Sequence, residues 1–351
     1  MSSEYKDKAR NRGIDILKGI GILFVFIGHM GSPYGGGTIV AYAYSFHMPL
    51  FFLVAGYLST NVSSYSIVEY TKKKAKALLI PYALIFLFSY LWTNTLYPLS
   101  QGLKVFPYPH TLTNFLKAFI LSGGYLEKIP LNNFPLWFLP LMFIASLVFY
   151  FILQIKDKRI LLSIAFIISL ITIPLQNFVT GRPAWHINVL PAAIFYMLIG
   201  YLFKKYTQDK AINKYSYIAA TASLFLGYII FSFIGSQGGI AHLSSYWYFL
   251  SSTLTVYGLY VLTSNGQNRV LEYMGKESLY LFALQVLILL QLPYLGLDNF
   301  FINKGQNGVV IYLIQLITGI SLTILLNMVI KYTIRSIRER TKSFNLAKIK
   351  Y

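Results

Sequence analysis

The sequence predicts an all-α, polytopic membrane protein, on three observations. Hydrophobic residues make up 56% of the chain and charged residues only 12%, about half the charged share of a soluble domain. Ten apolar runs, most of them about 20 residues long, can each cross a hydrocarbon core of about 30 Å as a helix. None of the runs alternates apolar and polar residues with the period of two that a membrane β-barrel needs. The same composition excludes a disordered chain, which requires low hydrophobicity. The formal net charge of +19 does not make the chain an ordinary nucleic-acid binder, because such a protein displays its basic residues on a folded polar surface. Cys is absent, which excludes disulfides, thiolate ligands and a Cys nucleophile.

In chain order the predicted spans are 13–32, 41–60, 77–97, 134–155, 160–178, 189–203, 215–234, 244–263, 279–295 and 308–330. The first leads into further spans without a small-residue cleavage site, so no cleavable signal peptide is expected. The third follows the basic stretch Lys72, Lys73, Lys74 and Lys76. Pro49, Pro81, Pro140, Pro174 and Pro191 fall inside spans, where neighbouring helices can satisfy the backbone groups that proline frees. The sixth run is short. Between the third and fourth lies the longest outer segment, 98–133, with an amphipathic stretch over 113–121 expected to be a re-entrant or surface cap. No internal repeat or soluble domain is evident. The chain reads as one integral-membrane domain over 1–351, with a core over 13–330 and a basic tail over 331–351.

Charge fixes the expected orientation. With a cytoplasmic N-terminus, 24 of the 30 Lys and Arg residues fall on inner segments. Lys104, Lys117, Lys128, Arg182 and Lys304 fall on outer ones, and Lys18 lies within a span. This is the positive-inside pattern, with both termini cytoplasmic. Most of the basic excess therefore orients the protein and meets anionic lipid.

The first span carries the chemistry. Asp15, Lys18 and His29 are ionisable groups within it, and each Asp or Lys at a helix centre costs about 2.5–3.5 kcal/mol on insertion scales. Lys18 and His29 are eleven residues apart, which puts them on one face to within about 20° and about 16 Å apart along the axis; Asp15 lies about 40° from His29. One polar stripe thus runs along the helix. A plainer reading makes Asp15 and Lys18 an i,i+3 pair at the interface, with Lys18 snorkelling, and makes His29 a structural hydrogen-bonder. His47 enters the second span from the same outer side, where all five histidines (His29, His47, His110, His186, His242) fall. No His-x3-His spacing and few outer carboxylates accompany them, so no metal is expected.

The pattern of Lys18, ten residues and His29 resembles the opening of the acyltransferase-3 family of integral-membrane acyltransferases, as do Arg10 or Arg12 before Asp15. Phe46-His47-Met48-Pro49-Leu50-Phe51-Phe52 with Gly56-Tyr57 resembles the second-span signature of its sugar O-acetyltransferase branch, which includes fucose O-acetylases and the enterobacterial common antigen O-acetyltransferase. The lysines before Pro81-Tyr82, the run Leu136-Trp137-Phe138-Leu139-Pro140, Gly200-Tyr201-Leu202 and Met274-Gly275-Lys276-Glu277-Ser278-Leu279-Tyr280 resemble further family segments. The sequence departs from the pattern twice. Lys73 and Lys76 stand where the family often has Arg-x-x-Arg, and a lysine lacks the bidentate fork of arginine. Gln285 stands where the family often has His.

The resemblance implies a bacterial plasma-membrane O-acyltransferase. It would move an acyl group, acetyl first among the options, from cytoplasmic acetyl-CoA to a hydroxyl of a surface glycan or lipid-linked sugar. His29 would be general base or acyl carrier, with Asp15 and Lys18 orienting the stripe or touching the donor. Lys73, Lys76 and Lys18 would contact acyl-CoA, and His47, Trp137 and Arg182 the acceptor, although Trp137 also suits an interfacial belt. Membrane lipids are the other partner; nucleic acid is not. Two non-catalytic readings compete. One is a carrier exporting a glycan or small molecule, whose fold would often show internal repeats. The other is a scaffold of a polysaccharide-synthesis complex.

Overall fold

The computed structural model describes residues 11–30, 37–59, 62–100, 111–122, 133–179, 183–207, 211–235, 239–289, 292 and 307–348, with side chains at all of these except 63, 93–100, 134, 338 and 340–348. Among the described residues there is no strand. The helices are α1 (Arg12–Met30), α2 (Gly37–Tyr57), α3 (Ile67–Ser100), α4 (Leu112–Leu121), α5 (Phe138–Ile152), α6 (Lys158–Phe178), α7 (Leu190–Thr207), α8 (Lys214–Ile234), α9 (Trp247–Ser264), α10 (Arg269–Lys276), α11 (Ser278–Leu289) and α12 (Gly308–Lys348). Short 3-10 turns precede α5 (Phe134–Trp137) and α7 (Ala184–Val189).

Each of the ten predicted runs falls on a helix. Among the described residues, eight helices are long and apolar enough to cross a membrane, which makes the protein all-α and polytopic. The other two runs are α9 and α11. The first is diluted by Ser251, Ser252, Thr253, Thr255 and Thr263, and their polar atoms pack inward: Ser251 Oγ donates to the carbonyl of Gly227 on α8 at 2.8 Å, and Tyr196 OH and Ser252 Oγ lie 2.7 Å apart. The second has twelve described residues. Its expected continuation to 295 lies largely outside the described residues.

Two boundaries differ from expectation. Helix α3 begins at Ile67 rather than near 77, because Ser66 and Glu69 form a reciprocal cap. Ser66 N and Oγ each donate to Glu69 Oε2 at 2.9 Å, and Glu69 N donates back to Ser66 Oγ at 3.3 Å. The lysine stretch is therefore helical. The segment expected to be an inner loop before Ser278 forms α10, started by Asn268, whose Oδ1 accepts from Leu271 N at 3.0 Å. The expected amphipathic cap is α4. It is capped by Thr111 and lies on α3, with Phe119 stacked on Tyr82 at 5.3 Å and Tyr82 OH donating to its carbonyl.

The core sits around α1 and α2. In each, 61% of the spanning window is buried, against 22% in α6 and 17% in α8, which are peripheral. Asn11 caps α1 by accepting from Ile14 N at 3.2 Å. Two crossings are as close as helices can come. Gly56 of α2 lies on the backbone of Met197 and Gly200 of α7 on the backbone of Leu53, so a Cβ at either would overlap a carbonyl. Gly19 of α1 meets Leu271, and Gly275 of α10 meets Asp15, in the same way. Glycine removes the side chain that would hold the backbones apart. At 41 residues, α12 is about 60 Å long, twice the depth of the hydrocarbon core.

Candidate functional site

The stripe on α1 is divided between two environments. At the start of the helix, Lys18 Nζ lies 2.8 Å from Asp15 Oδ1. The pairing is expected of i,i+3 residues, and Asp15 is only 3% exposed. Helix α10 closes over this pair. On its outer turn Lys276 hydrogen-bonds Glu272 and, with Arg12 adding to the effect, holds its carboxyl below the usual range. Glu277, at the break between α10 and α11, accepts from Asn327 at 3.1 Å and pairs with Lys331, tying the start of α11 to α12.

Lys18 also faces a cavity of about 510 Å³ between α1, α2, α3, α5 and α11. Among the described residues its wall is apolar apart from Lys18, Lys74 and Ser278. Lys74 is the member of the basic stretch that lines it. Lys73 and Lys76 are exposed, and Lys73 Nζ donates to Tyr65 OH at 2.8 Å. The sequence held a signal for Lys74: Ala77 and Leu78, three and four residues on, share its helix face and line the same cavity.

Further along the stripe, His29 Nδ1 is 2.8 Å from Gln285 Nε2 on α11. The His29 ring lies 6.1 Å from those of His47 and Tyr44, and the latter two are 5.2 Å apart. His47 is 1% exposed. Its Nδ1 donates to the Ala43 carbonyl at 2.6 Å, which fixes its tautomer because a carbonyl only accepts. The structure thus brings His29 and His47 together and adds Tyr44 and Gln285. Gln285 is the sole polar residue of the run Leu281–Leu289, a signal legible in the sequence once α11 is placed beside α1.

The near end of the cavity and the histidine cluster are one helical turn apart. Phe51 follows His47 by four residues on α2, and Phe282 precedes Gln285 by three on α11, so each lies about 4–6 Å closer to the cavity. Phe138 of α5 touches both, at 6.2 Å from Phe51 and 5.3 Å from Phe282 between ring centroids. All three rings line the cavity. They form a single aromatic layer between it and the histidines.

Trp137 stands next to Phe138 and packs at a tilt against His186, with ring centroids 4.7 Å apart. His186 and Trp185 both have left-handed backbone angles (φ 51 and 56), which bulky residues rarely adopt. Trp185 Nε1 donates to the Ile120 carbonyl of α4 at 2.6 Å. Arg182 and His110 lie outside the described residues, and His242 is exposed. Among the described residues no group of three or more His, Asp or Glu side chains is placed to hold a metal ion.

A family model described as an acyltransferase domain matches residues 11–331, nearly the whole chain. The chain belongs to the acyltransferase-3 family. The protein is therefore a membrane acyltransferase. The match runs from the residue that caps α1 to Lys331, the partner of Glu277, and so contains the cavity, the aromatic layer and the histidine cluster. No curated protein and no solved structure is matched by the chain.

Proposed function

We propose that the protein is an O-acetyltransferase that takes the acyl group of cytoplasmic acetyl-CoA and delivers it to a hydroxyl of a surface or lipid-linked glycan. The observation that carries this reading is the aromatic layer, with a two-lysine apolar cavity on one side and His29 one helical turn away on the other. The cavity suits an acyl thioester. Lys18 and Lys74 supply positive charge for anionic donor groups, and the apolar wall accepts the pantetheine arm and acyl chain. Lys73 and Lys76, exposed beside it, guide the polyphosphate end. Asp15 holds Lys18 at the wall.

On the other side of the layer His29 acts as general base. It takes the proton of the acceptor hydroxyl as the oxygen attacks the thioester carbonyl; the C–O bond forms, the C–S bond breaks, and the proton passes to the departing thiolate. His47 and Tyr44 flank the ring, and Trp137 and Arg182 offer contacts for the sugar.

The test is release of free CoA thiol by the protein in proteoliposomes, given labelled acetyl-CoA and extracted surface glycan, with mass analysis of the glycan. Acceptor-dependent thiol release and a gain of one acetyl per site are expected, and both vanish in His29→Ala. A carrier would leave the acetyl on CoA. Acetylation retained by a folded His29→Ala protein defeats the assignment of His29.

A further inference from the structure

The contact between Gln285 and His29 decides which nitrogen of the catalytic ring holds its proton. Gln285 is fully buried. One end of its amide lies 2.8 Å from His29 Nδ1, and the other end, Oε1, is buried with no hydrogen-bond partner among the described residues. A membrane-buried amide left half satisfied is a liability that an apolar residue would remove.

The amide can meet the ring in two ways, related by a half-turn about its Cγ–Cδ bond. With Nε2 toward the ring it donates to Nδ1, whose lone pair is then occupied. The ring proton sits on Nε2, and neither nitrogen can take a proton from a hydroxyl. With Oε1 toward the ring it accepts from Nδ1–H, and Nε2 carries the lone pair. Only the second arrangement serves a base at Nε2. His47 cannot take over this part, because its Nδ1 is committed to the Ala43 carbonyl.

We propose that Gln285 is the positioning residue of His29: in the working state its Oε1 accepts from Nδ1–H, fixes the tautomer and leaves Nε2 to meet the acceptor hydroxyl. This rests on His29 being the general base. An amide does for this ring what a carboxylate does in a Ser-His-Asp triad, and does it without burying a charge.

The test pairs kinetics with spectroscopy on the full chain in lipid nanodiscs. Gln285→Met keeps the volume and removes the hydrogen bond. Its kcat should fall at least about 100-fold, toward the about 10⁴-fold lost when a triad histidine loses the partner that fixes its tautomer, while KM for acetyl-CoA and for glycan is unchanged. In protein labelled with 15N-histidine, the His29 signals, identified by their loss in His29→Gln, should show Nδ1 protonated and Nε2 bare, and this preference should be lost in Gln285→Met. Undiminished kcat in Gln285→Met, or His29 protonated at Nε2 in the unaltered protein, overturns the inference; the second result decides it even if the variant fails to fold. The His29→Gln control keeps the two ideas apart. If it is active, the assignment of His29 is wrong; if it is inactive while Gln285→Met is active, only Gln285 is misassigned.

Discussion

Gly275 of α10 rests on the backbone of Asp15, leaving no room for a methyl group between them. The residue that holds Lys18 at the cavity wall is thereby pinned from behind by a short helix that spans nothing. Gly275→Ala must push α10 away from α1. Overpacking of this kind costs about 1–3 kcal/mol, and here the obstacle is backbone. A lowered melting temperature in detergent is expected, with a rise in KM for acetyl-CoA as Asp15 and Lys18 shift. An unchanged melting curve would mean that the α1–α10 contact is loose.

The placement of Lys74 in the cavity wall separates it from its neighbours. Lys74→Ala should raise KM for acetyl-CoA about tenfold, the equivalent of about 1.4 kcal/mol, with little change in kcat. Lys73→Ala removes an exposed bond to Tyr65 and should change KM less. Steady-state kinetics over a range of acetyl-CoA concentrations distinguishes them, and a larger effect at Lys73 would move the donor site out of the cavity.

The aromatic layer should couple donor to acceptor. Phe138→Leu thins it while keeping the site apolar, so acetyl-CoA should be hydrolysed without acceptor at a rate well above that of the unaltered protein. Thiol release measured with no glycan present gives the answer. If that rate stays at background, the rings are packing alone.

Asp15 and Lys18 combine a structural and a chemical part that a double replacement can divide. Lys18→Met leaves a buried carboxylate without this partner, and breaking a buried pair costs about 3–5 kcal/mol. Poor recovery of folded protein is expected. Asp15→Asn with Lys18→Met removes both charges and should restore recovery but not transfer. Size-exclusion profiles and thiol release report the two parts, and an active double variant would reduce the pair to scaffolding.

Much of this was legible because it depends on local periodicity. Ten apolar runs locate the helices, and the eleven-residue spacing puts Lys18 and His29 on one face. The rest depends on partners distant in sequence. Nothing local to Lys73 and Lys74 says which of them meets a cavity; that follows from where α5 and α11 pack. Gln285 stood out as a departure from the family pattern, but its meaning required α11 to lie against α1, 256 residues away in the chain. Helix α10 was hidden by its charged residues, which suit a loop as well as a helix until Gly275 is seen against Asp15. The early start of α3 was written in Ser66 and Glu69, a capping pair masked by the lysines that follow.

The reciprocal contacts of Gly56 on Met197 and Gly200 on Leu53 carry a kinetic consequence. They lock α2, which bears His47 and Phe51, to α7 so closely that neither helix can rock or slide against the other without a backbone collision. On the function proposed above, Phe51 must then clear the path of the acyl group by rotating its ring, because α2 cannot shift on α7. Side-chain rotation takes far less time than the microseconds to milliseconds of collective helix motion. A protein built this way has no slow rearrangement of these two helices to wait for.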